Sequence, residues 1–183
     1  GKTYYVDVIN GDDSNENSGL TPNDPKRNLS TVLGYGDADI IYLMKGTYDR
    51  VRAFNGVSLS KSVSIIGLED GVELTTHSPL TWSKTDGYTH IYQASRNLVY
   101  SVYDSSAIDS NGDYLKLTEK NNIAEVENNP NSWYTDGDIV YVHTANGRMP
   151  DDDIRAYMEV TNLNVGENVT IYIENINLEG GRY

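Results

Sequence analysis

Short apolar runs return along this chain at intervals too close for helices to fit between them. They occupy residues 39–44, 57–59, 63–68 and 71–74, and the same texture resumes at residues 169–178. Gly, Asp and Asn are frequent between the runs, and these are the residues that tight turns require. Short apolar runs separated by turn residues indicate β-strands, so the chain is predicted to be an all-β protein.

The last of these runs indicates how the strands are arranged. Alternation places Val169, Ile171 and Ile173 on one face, and the register shifts at Asn175, where the chain is expected to turn a corner. Short strands with corners are typical of a parallel β-helix, in which each coil of about 20 to 25 residues pairs with the coil above it. An antiparallel β-sandwich is the alternative.

A polar loop and one short helix are predicted near the N-terminus. Residues 10–28 are rich in Gly, Asp, Asn, Ser and Pro and cannot bury enough apolar area to form regular structure. Residues 29–33 can form a short helix, with Asn28 or Ser30 as its N-cap and Gly34 as its stop. A second candidate helix lies within residues 119–127.

The middle of the chain has a different composition. Residues 79–157 contain both Trp residues and many of the 15 Tyr residues. Asn-Gly or Asp-Gly pairs at residues 111–112, 136–137 and 146–147 suit β-hairpins. The sequence therefore predicts three segments: β-helix coils with their cap over residues 1–78, an antiparallel β insertion over 79–158, and a resumed coil over 159–183.

Charge and cysteine content exclude several classes of protein. The 14 Lys and Arg residues against 27 Asp and Glu residues give a net charge of −13, and the basic residues are scattered, which excludes nucleic acid as a partner. No apolar run reaches the roughly 18 residues that a membrane-spanning helix needs, so no membrane insertion is expected. With no Cys there is neither a disulfide nor a thiolate nucleophile.

Two blocks of the sequence resemble a known family. The first consists of residues 4–7, 10–15, 18–22 and 25, followed by residues 38–43 and 46–48; the second consists of residues 133–137, 140–143, 147–150 and 153–155. The first block resembles the N-terminal cap and first coil of right-handed parallel β-helix proteins of the pectate-lyase-like superfamily, seen in polysaccharide lyases and phage tail spikes. The second block resembles a piece found before the later coils of such proteins. Residues 26–29 depart from the pattern, because Lys26 and Arg27 replace the usual aromatic or aliphatic residue after Pro25.

The resemblance implies a secreted, cell-surface or virion-associated protein that engages or degrades polysaccharide, with a glycan as its partner. It transfers no catalytic residue, because the catalytic face of such proteins is built from later coils, so enzymatic activity stays open. Two alternatives are a structural segment of a tail spike or adhesin, and a polysaccharide lyase or glycoside hydrolase. The apolar end around Val169, Ile171, Ile173 and Leu178 has no following coil to cover it, so it is expected either to pair with another chain, which would support self-association, or to be disordered.

Aromatic residues in the middle segment are candidates for carbohydrate binding. The rings of Trp82, Tyr88, Trp133 and Tyr134 can stack on the apolar face of a pyranose while nearby polar groups bind its hydroxyls. The alternative is that both Trp residues form the core of the insertion. Arg148, with Arg155 and either His143 or Tyr141, offers a cation and a base for abstracting a proton beside a uronate carboxylate; otherwise it forms a surface ion pair with residues 151–153.

The N-terminal loop is a candidate calcium site. Asp13, Asn15 and Asn17 fall at positions 1, 3 and 5 of a calcium-loop pattern, and Asp24 falls at position 12. The match has flaws, because Ser18 stands where the pattern needs Gly and the last ligand is normally Glu. A solvated loop of Asx turns is the alternative. Zinc is not expected, since no two His residues have ligand spacing.

Overall fold

Strands account for most of the regular structure in the computed structural model, which describes residues 1–180. The first elements are β1 (Lys2–Val6), α1 (Leu29–Tyr35), β2 (Ala38–Leu43), β3 (Gly46–Tyr48), β4 (Val57–Leu59), β5 (Val63–Gly67) and β6 (Val72–Thr75). Next come β7 (Ser83–Lys84), β8 (Tyr92–Ser95), β9 (Val99–Ile108), β10 (Tyr114–Lys116), β11 (Thr118–Glu119), α2 (Ile123–Glu127), β12 (Ser132–Thr135), β13 (Ile139–His143) and β14 (Ile154–Met158). The last are β15 (Leu163–Val165), β16 (Ile171–Glu174) and β17 (Asn177–Glu179). The all-β prediction is confirmed, and neither helix of the described chain is long and apolar enough to cross a membrane.

Unit 1 is the compact unit formed by Gly1–Thr76 and the chain from Val160 onward. Its strands form three parallel sheets in the orders β1-β2-β5-β16, β3-β6-β17 and β4-β15. Successive strands of unit 1 belong to the three sheets in a repeating order. β2, β3 and β4 lie in the first, second and third sheet, and β5, β6 and β15 follow in the same order. The strands around Ile40, Val63 and Ile171 run in one direction, so the antiparallel sandwich is wrong for unit 1.

A column of paired side chains fills the interior beneath the first sheet. Tyr4 pairs with Ile41, and Ile65 lies between Ile41 and Ile173 in the same register. The side chains of Tyr4, Ile41 and Ile65 are buried, whereas Ile173 on the outermost strand is half-buried. Fully burying one such side chain contributes roughly 1.5–3 kcal/mol, so the column stabilises the parallel pairing.

Strand β16 follows the predicted alternation. Ile171 and Ile173 pack toward the core, Tyr172 is exposed, and Asn175 turns the chain at a φ of 55°. β15, β16 and β17 each lie at the edge of a sheet, and Leu178 is 57% exposed. Self-association through this end stays a prediction. Residues 181–183, the end of the predicted last segment, lie outside the described residues.

Helix α1 packs on the core of unit 1 and ends two residues later than predicted. Leu29, Val32 and Leu33 are buried beneath it. The stop is Gly36 rather than Gly34, because Gly36 adopts a φ of 71° and its N–H bonds to the carbonyl of Leu33. That left-handed conformation strains residues with a Cβ, which explains a glycine at this position.

Lys26, which departs from the family pattern, is accommodated by a specific contact. The residue is only 5% exposed, and its Nζ donates to the carbonyl of Ser14 at 2.9 Å. Its backbone also bridges Val6 of β1. A buried ammonium is therefore hydrogen-bonded where an apolar side chain would otherwise pack.

Unit 2 comprises His77–Glu159, which are inserted in the sequence between β6 and β15 of unit 1. It contains a three-stranded sheet, β10-β9-β14, and a five-stranded sheet, β11-β12-β13-β8-β7. The pairs are antiparallel except for β11 with β12. Its core includes Trp82, Val102, Leu117, Trp133, Val140, Val142 and Ile154.

The Asp136-Gly137 turn closes the hairpin of β12 and β13, as its sequence predicts. The Asp136 carboxylate accepts hydrogen bonds from the N–H groups of Asp138 and Ile139 at 3.0 and 2.9 Å. Gly137 adopts a φ of 108°. The 111–112 pair likewise joins β9 to β10, but the 146–147 pair lies in the connection to β14, which pairs with β9 instead.

Candidate functional site

The outer face of the five-stranded sheet in unit 2 presents tyrosines in neighbouring positions. Tyr134 on β12 lies opposite Tyr141 on β13, and Tyr141 lies opposite Gln93 on β8. Side chains alternate between the two faces of a sheet, so these three residues share the face away from buried Trp133 and Val142. Each of the three is half-buried.

Tyr88, Tyr134 and Tyr141, with Gln93 and Asp136, are termed here the tyrosine surface. The rings of Tyr134 and Tyr141 stack with centroids 6.0 Å apart and planes inclined by 19°. Tyr88 is half-buried, and among the smaller effects on Tyr141 it contributes to raising the pKa of that phenol. The surface therefore combines partly accessible rings with amide and carboxylate groups.

A carboxylate orders the phenol at the centre of this surface. The Tyr141 hydroxyl donates to Oδ2 of Asp136 at 3.1 Å. Burial, followed by this hydrogen bond, raises the pKa of Tyr141 above its ordinary value. The backbone N–H groups of Asp138 and Ile139 hold the pKa of Asp136 below its usual range. At neutral pH the surface thus presents a protonated phenol and an ionised carboxylate.

Such an arrangement suits the binding of a sugar. Tyrosine rings pack against the apolar C–H face of a pyranose, and amide and carboxylate groups bind hydroxyls in the plane of the ring. Gln93 supplies both a donor and an acceptor. Asp136 uses Oδ1 for the turn, while Oδ2 retains lone-pair capacity beyond its bond to Tyr141.

Both predicted tryptophans belong to the core rather than to this surface. Trp82 is 6% exposed and Trp133 is 2% exposed, and both pack in the unit 2 core. Trp133 lies opposite Val142 on the inward face of β12 and β13. The structure therefore matches the alternative in which both indoles form the core of the insertion.

The carbohydrate-binding residues predicted from the sequence include Tyr88 and Tyr134 of this surface but not Tyr141 or Gln93. The signal for Tyr141 was present in the alternation of Val140, Tyr141 and Val142, which places the tyrosine on the face opposite its apolar neighbours. Gln93 carries no comparable signal, since its position depends on the pairing of β8 with β13.

Arg148 lies in the connection between β13 and β14, where it pairs with acids. Its Nη1 is 3.4 Å from Oδ2 of Asp151, and its Nη2 is 3.9 Å from Oδ2 of buried Asp104. The backbone N–H of Asp153, followed by the charge of Arg148, lowers the pKa of Asp151. The ion-pair alternative therefore describes Arg148 in this structure.

The four residues considered for proton abstraction are engaged separately. His143 is buried, with Nδ1 2.8 Å from the carbonyl of Val126, and its ring stacks on His90. The Arg155 guanidinium lies 5.6 Å from the ring centroid of Tyr114. The Tyr141 hydroxyl donates a hydrogen bond to Asp136, and Arg148 forms an ion pair with Asp151. The structure therefore does not support a base and a cation that act together in proton abstraction.

The two carboxylates predicted to bind calcium are used by donors of the chain itself. Asp13 accepts from the N–H groups of Arg27 and Asn28 and from the Thr31 hydroxyl, at 2.7, 3.1 and 2.8 Å. Asp24 accepts from the N–H and hydroxyl of Ser18 and from the hydroxyl of Thr21. Both carboxylates therefore organise the loop.

The two predicted amide ligands do not complete a site. The Asn17 side chain donates to the carbonyl of Pro25 at 2.8 Å, and Asn15 is exposed. Within residues 1–180, no three His, Asp or Glu side chains are grouped so that they could hold a metal ion. The hydrogen bonds of Asp13, Asp24 and Asn17 favour the alternative of a loop organised by its own polar groups, and calcium binding stays a prediction.

Comparisons with known proteins show a similarity in fold to a solved structure. No protein-family model matches the sequence, and no curated protein matches it. A solved structure described as a glycoside hydrolase is similar with a TM-score of 0.61 and 12% sequence identity. The alignment covers 97% of this chain and 50% of that one, so this chain spans about half the length of its structural neighbour.

Proposed function

We propose that this protein binds carbohydrate through the tyrosine surface of unit 2. The observation that carries the proposal is the stacked pair Tyr134 and Tyr141, flanked by Tyr88 and by the polar groups of Gln93 and Asp136. The structural similarity to a glycoside hydrolase supports a carbohydrate ligand. We further propose that the protein is secreted, exposed on a cell surface or carried on a virion.

We propose that unit 1 is a right-handed parallel β-helix that serves as the scaffold. Three parallel sheets visited in a fixed order on successive passes support this architecture. Crossovers between parallel strands are right-handed in nearly all proteins, which supports the hand. Unit 2 is inserted between β6 and β15, so it interrupts the proposed coil at a connection between two sheets and not within a strand.

A neutral glycan is favoured over a polyanion as the ligand of the tyrosine surface. The net charge of −13 repels polyanions, and Asp136 adds a negative charge to the surface itself. Stacking of a pyranose on tyrosine depends on apolar C–H groups and needs no charge on the sugar. We therefore expect neutral hexose or pentose polymers to bind.

Binding is favoured over hydrolysis at this surface. Glycoside cleavage needs a carboxyl group that stays protonated long enough to donate to the leaving oxygen, and such groups have raised pKa values. The pKa of Asp136 is lowered instead. A structural role in a tail spike or adhesin is the remaining alternative, and a folded protein that captures no glycan would favour it.

Binding to neutral hexasaccharides of glucose, xylose and mannose, measured by isothermal titration calorimetry, tests the proposal. Tyr134→Ala and Tyr141→Ala should each weaken binding about tenfold, the effect of losing roughly 1.4 kcal/mol of ring contact. Tyr42→Ala is the matched control, because Tyr42 is also half-buried and also contacts a tyrosine, Tyr5, but lies in unit 1. Equal losses in the control and in the two unit 2 variants would contradict the proposal.

A further inference from the structure

An open polar cleft of about 670 Å³ lies in unit 1, apart from the residues of the tyrosine surface. It is bounded by the N-terminal loop on one side and by the loop after β3 on the other. The polar residues lining it are Asp12, Asp13, Arg27, Asn28, Asp49 and Arg52. Two arginines therefore line one cleft, together with three aspartates, in a protein whose net charge is −13.

The acidic groups of this cleft are largely committed to the fold. Both oxygens of Asp13 accept hydrogen bonds, from two backbone N–H groups and from the Thr31 hydroxyl. Asp49 Oδ1 accepts from the N–H of Arg52 at 3.2 Å, and Asp12 Oδ1 accepts from the N–H of Ser14 at 2.7 Å. These bonds hold the walls of the cleft in place.

The arginines, in contrast, retain most of their donors. Among residues 1–180, the Arg27 side chain makes no hydrogen bond or ion pair, and the residue is exposed. Arg52 uses Nη1 to donate to Oδ1 of Asn28 at 3.3 Å, which leaves its other N–H groups for a ligand. The cleft thus offers more unsatisfied donors than unsatisfied acceptors.

We propose that this cleft binds the oxyanion of a charged saccharide, a carboxylate or a sulfate ester, between Arg27 and Arg52. A guanidinium presents paired N–H groups whose spacing matches two oxygens of one oxyanion, which a lysine ammonium does not. Hydroxyls of the same sugar would meet the remaining lone pairs of Asp12 and Asp49. The site differs in unit, residues and ligand charge from the tyrosine surface and does not depend on it.

The overall negative charge of the protein opposes the binding of an anion to this cleft. A net charge of −13 repels anions at long range, so binding depends on the local pair of guanidinium groups. Removal of either group should therefore reduce affinity strongly. Removal of a positive charge elsewhere on unit 1 should have little effect.

Titration of the whole protein with glucuronate, glucose 6-sulfate, inorganic sulfate and glucose, followed by amide chemical shifts in NMR spectra, tests this inference. Glucuronate or glucose 6-sulfate should shift amides at Gly11, Arg27 and Arg52, and glucose should not. Arg27→Gln should weaken this binding at least tenfold, and Arg27→Lys should also weaken it because the paired donors are lost. Lys45→Gln, which removes the same charge outside the cleft, should leave it unchanged.

Several outcomes would overturn the inference. They are equal losses in Lys45→Gln and Arg27→Gln, equal shifts with glucose, and absence of shifts with every probe. Inorganic sulfate that binds as tightly as glucose 6-sulfate would overturn the assignment to a saccharide. Arg27 has no side-chain partner within the described chain, so its variants should fold, as unchanged thermal melting would verify. Tyr134→Ala should leave anion binding unchanged, which separates this inference from the proposed function.

Discussion

Adjacent residues on one strand have opposite roles in unit 2. Trp133 faces inward and is 2% exposed, whereas Tyr134 faces outward and stacks on Tyr141. Burial of the indole stabilises the fold, and partial exposure of the phenol leaves it accessible to a ligand. Stability and binding should therefore be separable by substitutions one residue apart.

Trp133→Ala should reduce the free energy of unfolding by about 3–5 kcal/mol, because it removes a large buried ring and leaves a cavity. Tyr134→Ala should reduce it by about 1 kcal/mol, since that side chain is half-exposed. Urea denaturation followed by circular dichroism measures both values. A loss at Trp133 no larger than that at Tyr134 would place the indole outside the core.

At this scale the sequence predicts side-chain chemistry better than side-chain environment. Tyr88 and Tyr134 were identified because tyrosine is suited to half-exposed positions. For Trp82 and Trp133 the sequence leaves ligand binding and core packing open, because aromaticity alone does not show which face a ring occupies. Alternation with Val140 and Val142 carries that information for Tyr141, but it must be combined with the hairpin register.

Individual elements depend on local hydrogen bonds in the loops that connect them. In the N-terminal loop, the Asp24 carboxylate accepts from the hydroxyls of Ser18 and Thr21 and from the Ser18 N–H. These bonds, led by that from the Ser18 side chain, lower the pKa of Asp24 to about 2. The carboxylate is therefore ionised in the folded protein at pH values where an unfolded chain begins to bind protons.

Asp24 should make stability depend on pH below about 4. Its pKa in the folded state is lower than its ordinary value of 3.8, so its contribution is fully present above that value and is lost as the pH falls toward 2. Asp24→Asn should flatten the stability profile between pH 4 and pH 2, as measured by urea denaturation. Asp152→Asn is the control, because within residues 1–180 the Asp152 side chain accepts no hydrogen bond; an equal flattening there would refute the assignment.

Strands were predictable as elements, but their exact ends and partners were not. The apolar runs at residues 57–59 and 63–68 correspond to β4 and β5, because the pattern of apolar residues in the sequence matches the residues that the strands bury. The end of α1 was misplaced at Gly34 because two glycines compete for the stop. Only Gly36 takes the left-handed conformation, and that choice depends on where the chain must turn toward β2.

At the scale of the whole molecule, the order of the sheets depends on contacts between residues distant in sequence. β5 pairs with β16 although all of unit 2 lies between them in the chain. This insertion separates parallel strands that pair with each other, so the sequence indicates the strands without giving their complete register. The glycoside hydrolase neighbour aligns with 97% of the chain, which supports this overall course of the backbone.

Ring resonances of selectively labelled tyrosine, recorded by NMR during titration with the neutral hexasaccharides, provide the most direct test of the central claim. We expect saturable shifts of the Tyr88, Tyr134 and Tyr141 resonances, with those of Tyr5, Tyr42 and Tyr172 unchanged. Shifts confined to the tyrosines of unit 1, or no shift with any hexasaccharide, would contradict carbohydrate binding at the tyrosine surface.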